Sequence, residues 1–234
     1  LYVKEGDALT ELMTETVDFT PAEKNGIQDV TFTFDASALK GKSVVAFEEL
    51  SVNGEFCAEH KDKDDENQTV TFPDIQTTAR DNVTEDHVSN AADSVTIIDT
   101  VTYTGLKAGE TYEITGTLMD AETGEAALDD DGNAITASEE FTTPSTDGNI
   151  DITFTFAGVS LAGKTLVAFE DISYEGRRYA VHADINDKNQ TVYIPKIHTK
   201  ALDANTGLNQ VLADSNATVV DTVTYTHLLP GKTY

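Results

Sequence analysis

VTFTFDASALKGKSVVAFEEL (30–50) returns as ITFTFAGVSLAGKTLVAFEDI (152–172), an offset of 122 residues. In both copies apolar and polar residues alternate over short runs, and a Gly-containing turn separates one run from the next. A period of two places every second side chain on one face, which marks a strand with one buried side. The Gly marks the turn between neighbours. The same offset extends in both directions. HKDKDDENQTVTFPDIQTTA (60–79) returns as HADINDKNQTVYIPKIHTKA (182–201), and DTVTYTGLKAGETY (99–112) returns as DTVTYTHLLPGKTY (221–234), with no gap needed. A period of 122 residues is the size of an ordinary domain and far longer than a solenoid repeat. The chain therefore reads as an array: 1–73 is the C-terminal part of a repeat, 74–195 is a complete repeat, and 196–234 is the N-terminal part of the next.

Further runs read as strands: SVTII, YEITGTL, QTVTF and QTVYI, with turns at KNG, VNG, KAGE, DDDGN and TDGN between strand runs. No long amphipathic helix is visible. Seven or more short strands per repeat predict an all-β fold, a tandem array of immunoglobulin-like Greek-key sandwiches. The chain has no Trp and a single cysteine, Cys57, whose periodic counterpart is Tyr179. It is therefore not an antibody-type domain, and no disulfide forms within it. Pro73 and Pro195 stand just before the next repeat begins, so linkers are short and the array is stiff.

Lys plus Arg number 15 and Asp plus Glu 42, giving a net charge of −27. Such a balance disfavours nucleic acid and anionic membrane surfaces as partners, and favours solubility and mutual repulsion of extended molecules. The best acidic candidate for calcium, LDDDGNAI (128–135), lacks the spacing of a calcium loop and reads as a hairpin turn. No cofactor or metal ligand set is expected. The sequence holds no apolar run of membrane length and no leader or lipidation motif.

Several polar residues recur on faces that are otherwise apolar. Thr77 shares a face with Ile75 and Ala79, as Thr199 does with Ile197 and Ala201. Asp99 lines up with Ile97, Val101 and Tyr103, as Asp221 does with Val219, Val223 and Tyr225. Gln190 lies with Val192 and Ile194, and Gln68 with Val70 and Phe72. Glu48 and Glu170 end the VVAFE and LVAFE runs, and His60 and His182 keep their spacing to Asp65 and Asp187. Polar groups on a core face are costly unless partnered. One account is a satisfied polar network that fixes strand register. The other is acyl transfer, in which a Thr hydroxyl activated by a His attacks a Gln amide and releases ammonia. A buried Asp would fix the imidazole, and a Glu kept neutral by burial would donate to the amide carbonyl.

The pattern H-x-D-x-x-D-x-x-Q-T-V, with VAFE upstream and D-T-V-x-Y earlier still, resembles the ester-bond-forming, VaFE-type repeat domains of Gram-positive surface adhesins. The resemblance spans the complete repeat and both partial ones. It implies an immunoglobulin-like stalk domain whose first and last strands are joined by an autocatalytic Thr–Gln ester. On that resemblance Thr77 is the nucleophile, Gln190 the acceptor, Asp99 with His182 the base pair, Glu170 the acid and Asp187 an accessory carboxylate. The matching residues of the partial repeats are Gln68, His60, Glu48 and Asp65, and Thr199 and Asp221. It further implies an extracellular, cell-wall-anchored protein that is not a turnover enzyme. Its partners would be adjacent repeats of the same array, with any host ligand outside this segment.

Three other readings stay open. A Lys–Asn isopeptide is available to Lys42 or Lys164 with Asn67 or Asn189, although Asn189 neighbours Gln190 and so faces the other way. A hydrolase using Thr77, His182 and Asp99 would repeat a whole active site in tandem. A ligand-binding module would need a repeated exposed surface that the sequence does not display. By the period, Leu1 and Tyr234 fall inside repeats, so neither end is expected to be a domain boundary. A window on a longer array accounts for this. So does a head-to-tail polymer, in which Thr199 of one molecule meets Gln68, Glu48 and His60 of the next.

Overall fold

The computed structural model describes residues 1–234. Its regular structure is sixteen strands and two short 3-10 turns, Ser37–Leu39 and Glu66–Gln68. Six strands lie within residues 1–73: β1 (Tyr2–Glu5), β2 (Ala8–Glu11), β3 (Ser43–Val45), β4 (Glu48–Val52), β5 (Glu55–His60) and β6 (Thr69–Thr71). Eight follow: β7 (Asp74–Asp81), β8 (Val95–Thr104), β9 (Thr111–Asp120), β10 (Thr136–Thr142), β11 (Gly148–Phe156), β12 (Thr165–Tyr174), β13 (Arg177–His182) and β14 (Thr191–Tyr193). The last two are β15 (Lys196–Asp203) and β16 (Val219–Thr226).

The chain condenses into two compact units. One comprises 1–75 with 103–110 and 143–148; the other comprises 76–102, 111–142 and 149–234. In the second, one sheet has the order β11-β8-β7, and the other has β10-β9-β12-β13 with β14 also paired to β12. Alternation decides which residues enter the space between them. Thr77, Ala79, Ile97, Asp99, Val101, Ile152 and Phe154 are buried on the first sheet, and Ile114, Leu118, Ala168, Glu170 and Ile172 on the second. Each buried aliphatic side chain contributes roughly 1.5–3 kcal/mol. The sheets approach closely at Gly116 of β9, where a Cβ would lie 2.5 Å from both Ile152 Cδ1 and Phe154 Cζ. The result is an all-β, antiparallel, immunoglobulin-like sandwich.

The first unit holds the sheet β2-β1-β3-β6 and the hairpin β4-β5. Its core is small: Leu1, Leu39 and Val44 are buried, with Phe32, Phe34 and Phe72 among the residues packed on them. One strand expectation fails here. VTFTF at 30–34 lies outside any sheet, whereas its copy forms the end of β11 against β8. The pattern supplies a face, but the backbone N–H and C=O groups of a strand need a neighbouring strand to pair with.

The segment 128–135 is a hairpin turn. Asp129 N–H bonds to Asn133 O at 2.8 Å, Leu128 bridges Ala134, and Gly132 takes a φ of 82° that favours glycine. The Asp129 carboxylate accepts the N–H groups of Asp131 and Asn133 and is held below its usual pKa, chiefly by the Asn133 bond.

Candidate functional site

Thr77 sits mid-strand on the buried face of β7 and is 4% exposed. Gln190 immediately precedes β14 and is fully buried, with Val192 and Ile194 on the same face. The Gln190 amide nitrogen Nε2 donates to Thr77 Oγ1 at 2.7 Å and to Glu170 Oε2 at 2.7 Å. The amide carbon is one bond from Nε2, so a hydroxyl oxygen and the electrophile it would attack are already neighbours. Thr77 and Gln190 stand 113 residues apart in the chain. Their strands are aligned by the backbone as well: Ala79 N–H bonds to Asn189 O at 2.9 Å.

Glu170 lies on the inner face of β12 and is 1% exposed. Burial pushes its pKa up to about 10, with the neighbouring Asp99 carboxyl adding to the rise and the Thr77 and Gln190 bonds opposing it. Asp99 is raised too, again by burial foremost. The Glu170 carboxyl, the His182 charge and the Thr78 N–H pull it the other way. Two adjacent carboxyls in a dry core cannot both ionise, so Glu170 keeps its proton. No amide, imidazole or hydroxyl donor reaches either Asp99 oxygen with full hydrogen-bond geometry.

His182 is half-buried at the end of β13, in register with Glu170 on β12. Its Nε2 lies 3.1 Å from Asp187 Oδ2. The carboxylate only accepts, so in the neutral ring Nε2 carries the proton and Nδ1 keeps its lone pair. Nδ1 is buried and has no partner, the state a base requires. Asp187 is itself fixed: its Oδ1 accepts Asn189 N–H at 2.8 Å, and Thr191 Oγ1 donates to its carbonyl at 2.6 Å.

Two details differ from the sequence-based expectation. The carboxylate in contact with the His182 ring is Asp187, while Asp99 acts on it through charge and pairs with Glu170 instead. Glu170 also faces the Gln190 nitrogen, and Gln190 Oε1 is buried without a donor. A half-turn of the amide about Cγ–Cδ exchanges nitrogen and oxygen in place. It would set Oε1 beside the Glu170 proton, as polarisation of the carbonyl requires.

Residues 1–73 and 196–234 carry parts of the same arrangement. Gln68 Nε2 donates to Glu48 Oε2 at 2.7 Å, and His60 Nε2 lies 3.5 Å from Asp65 Oδ2. Thr199 and Asp221 are exposed on the two-stranded sheet of β15 and β16. The isopeptide candidates are not brought together. The Lys164 ammonium lies 3.0 Å from Asp120 and 3.1 Å from Glu122, and Asn189 is exposed. Lys42 pairs with Glu5, and the Asn67 amide donates to Asp65. Sequence reasoning passed over Thr191, although Thr69 makes the same bond to the Asp65 carbonyl at 2.9 Å and both stand in the recurring Q-T-V.

No helix is long and apolar enough to cross a membrane. Among solved structures, the chain is similar to a bacterial adhesin from Mobiluncus mulieris described as containing intramolecular disulfide, isopeptide and ester bond cross-links. Identity is 15%, with 65% of this chain and 73% of that one covered and a TM-score of 0.45. A second crystal form of that adhesin gives 15%, 66%, 74% and 0.44. A putative β-galactosidase from Bacteroides fragilis matches at 10% identity, covering 56% of this chain and 19% of its own, with a TM-score of 0.37. No curated protein matches. The T-Q ester bond containing domain matches residues 1–72, 73–194 and 195–234, and the chain therefore belongs to the family of T-Q ester bond containing domains.

Proposed function

We propose that this chain is a stalk segment of a bacterial cell-surface adhesin, built from tandem repeats that each lock themselves with one Thr–Gln ester between first and last strands. The carrying observation is the buried contact of Gln190 Nε2 with Thr77 Oγ1 at 2.7 Å, beside a carboxyl kept neutral. In the reaction His182 Nδ1 takes the Thr77 hydroxyl proton, and Oγ1 bonds to the Gln190 amide carbon. The bond from that carbon to Nε2 then breaks, and the nitrogen leaves with one added proton as ammonia. Glu170 stabilises charge developing on the amide, and the neighbouring Asp99 keeps Glu170 protonated. Each repeat reacts once, so the chain is not a turnover catalyst. Repeat boundaries at 73/74 and 195/196, adjacent repeats as the partners, and a cell-wall anchor elsewhere complete the reading.

Its mechanical purpose follows from where the link sits. A load carried along the array enters a first strand and leaves from a last strand. An ester between them bypasses the strands in between, which need not unfold. Intact mass tests the reading: the chain should weigh about 17 Da less than its sequence, one ammonia lost in acyl transfer from an amide. Peptide mapping should recover Thr77 and Gln190 in one linked fragment. Separate recovery of the two peptides at full sequence mass would refute it.

A further inference from the structure

The segment between β7 and β8 changes sheets. β7 pairs with β8, yet residues 87–89 lie along the far edge of β14, the strand that follows Gln190. Ser89 N–H bonds to Tyr193 O at 2.9 Å, Tyr193 N–H to His87 O at 2.7 Å, and Val88 bridges Tyr193 in parallel. His87 Nδ1 lies 2.9 Å from the Thr191 carbonyl. A carbonyl only accepts, so the Nδ1–H tautomer is the one present. The β14 strand is thus held by β12 on one side and by this segment on the other.

The segment is set by a preformed turn. Asp81 Oδ1 accepts the N–H groups of Val83 and Thr84 at 2.9 and 2.8 Å, and Asp81 Oδ2 accepts the Ser89 hydroxyl at 2.6 Å. The turn recurs one period on. Asp81 N–H bonds to Asp86 O at 2.9 Å and Asp203 N–H to Leu208 O at 2.8 Å. Glu85 N–H bonds to Asp81 O and Gly207 N–H to Asp203 O, both at 2.9 Å. Position 87 in this frame corresponds to Asn209. An Asn side chain carries its amide N–H at nearly the place where His carries Nδ1–H, so the substitution between copies preserves the donor.

We propose that His87 is a positioning residue for the Thr77–Gln190 reaction, the donor of a clip over residues 81–89 that seats the Gln190 strand against the strand bearing Thr77. The clip leaves β7 four residues after Thr77 and grips the carbonyl one residue after Gln190. It therefore fixes both reactants in one frame before any covalent bond exists. Near-attack alignment is the step such a grip accelerates, since small misplacements cost large factors in rate. The inference rests on the ester reading.

The test is a time course of crosslinking after cell-free synthesis of the whole chain, read by intact mass. His87→Ala is expected to slow crosslinking by about tenfold, His87→Asn to stay within about threefold of wild type, and His87→Gln, whose donor lies too far out, to resemble Ala. Adding His87→Ala to an uncrosslinkable Thr77→Val background should leave thermal stability nearly unchanged, which separates alignment from folding. Equal rates for wild type and His87→Ala would overturn the clip while leaving the ester intact. So would equal slowing in Ala, Asn and Gln with a matching loss of stability. A wild-type chain that never loses ammonia would overturn the reading beneath it.

Discussion

Replacing Thr77 by Val removes the hydroxyl and keeps a β-branched side chain of nearly the same shape, so β7 retains its strand preference. Without the hydroxyl no ester forms. The link joins residues 113 apart. By the chain-entropy relation used for disulfides, a closed loop of that length stabilises the fold by about 4.8 kcal/mol at 25 °C. In the variant the intact Gln190 amide stays buried with one partner fewer, which costs about 1 kcal/mol more, partly offset by the buried methyl that replaces the hydroxyl. Unfolding entropy near 2.1 cal/mol/K per residue gives about 0.25 kcal/mol/K for one repeat, so the loss corresponds to roughly 20 °C in melting temperature. Scanning calorimetry of wild type and Thr77→Val, with intact masses taken on the same samples, measures it. Wild type should be lighter by one ammonia and Thr77→Val should carry its full sequence mass. A Thr77→Val protein melting within about 5 °C of a crosslinked wild type would refute the loop-entropy reasoning, because a constraint of this span would then contribute almost nothing.

Three further outcomes are expected. His182→Ala should fold yet remain largely uncrosslinked, and Glu170→Gln should crosslink slowly; intact masses at fixed times after synthesis read both, and normal crosslinking in both would remove the assigned roles. Glu170 has its folded-state pKa raised from 4.5 to about 10, so the folded form binds the extra proton between those values. Its contribution is complete below the unfolded pKa and is lost as pH rises toward the folded one. Urea denaturation of Thr77→Val should therefore show stability falling between pH 5 and pH 9, and adding Glu170→Gln should flatten that slope; an unchanged slope would place the proton elsewhere. Glu85 holds a φ of 56°, a conformation its counterpart Gly207 adopts at 68°. Glu85→Gly should raise the stability of the sandwich that holds it by about 0.5–1 kcal/mol in urea melts, since the left-handed region is costly for a residue with a Cβ.

What the sequence displays depends on whether side chains or backbone carry the interaction. The inward placement of Thr77, Asp99, Glu170 and Gln190 is legible because strand alternation ties each to apolar neighbours on the same face. The failure at VTFTF 30–34 marks the limit of that logic: alternation predicts a face, while a strand also needs a partner to take its amides. The pairing of His182 with Asp187 rather than Asp99 was equally out of reach. Both carboxylates recur with fixed spacing, and only the turn at Asn189 and Thr191 determines which one meets Nε2. The clip at 81–89 is the least visible feature. Its bonds to the Gln190 strand involve mostly the backbone groups of Thr191 and Tyr193, which every residue type but Pro possesses, and the one side chain that donates to that strand changes from His87 to Asn209 between copies. Compared by identity, that position drifts. Compared by what it can donate, and at what reach from the backbone, it is kept. Such pairs of unlike residues with a common donor are where a repeat's internal comparison conceals function, and geometry is needed to recognise them.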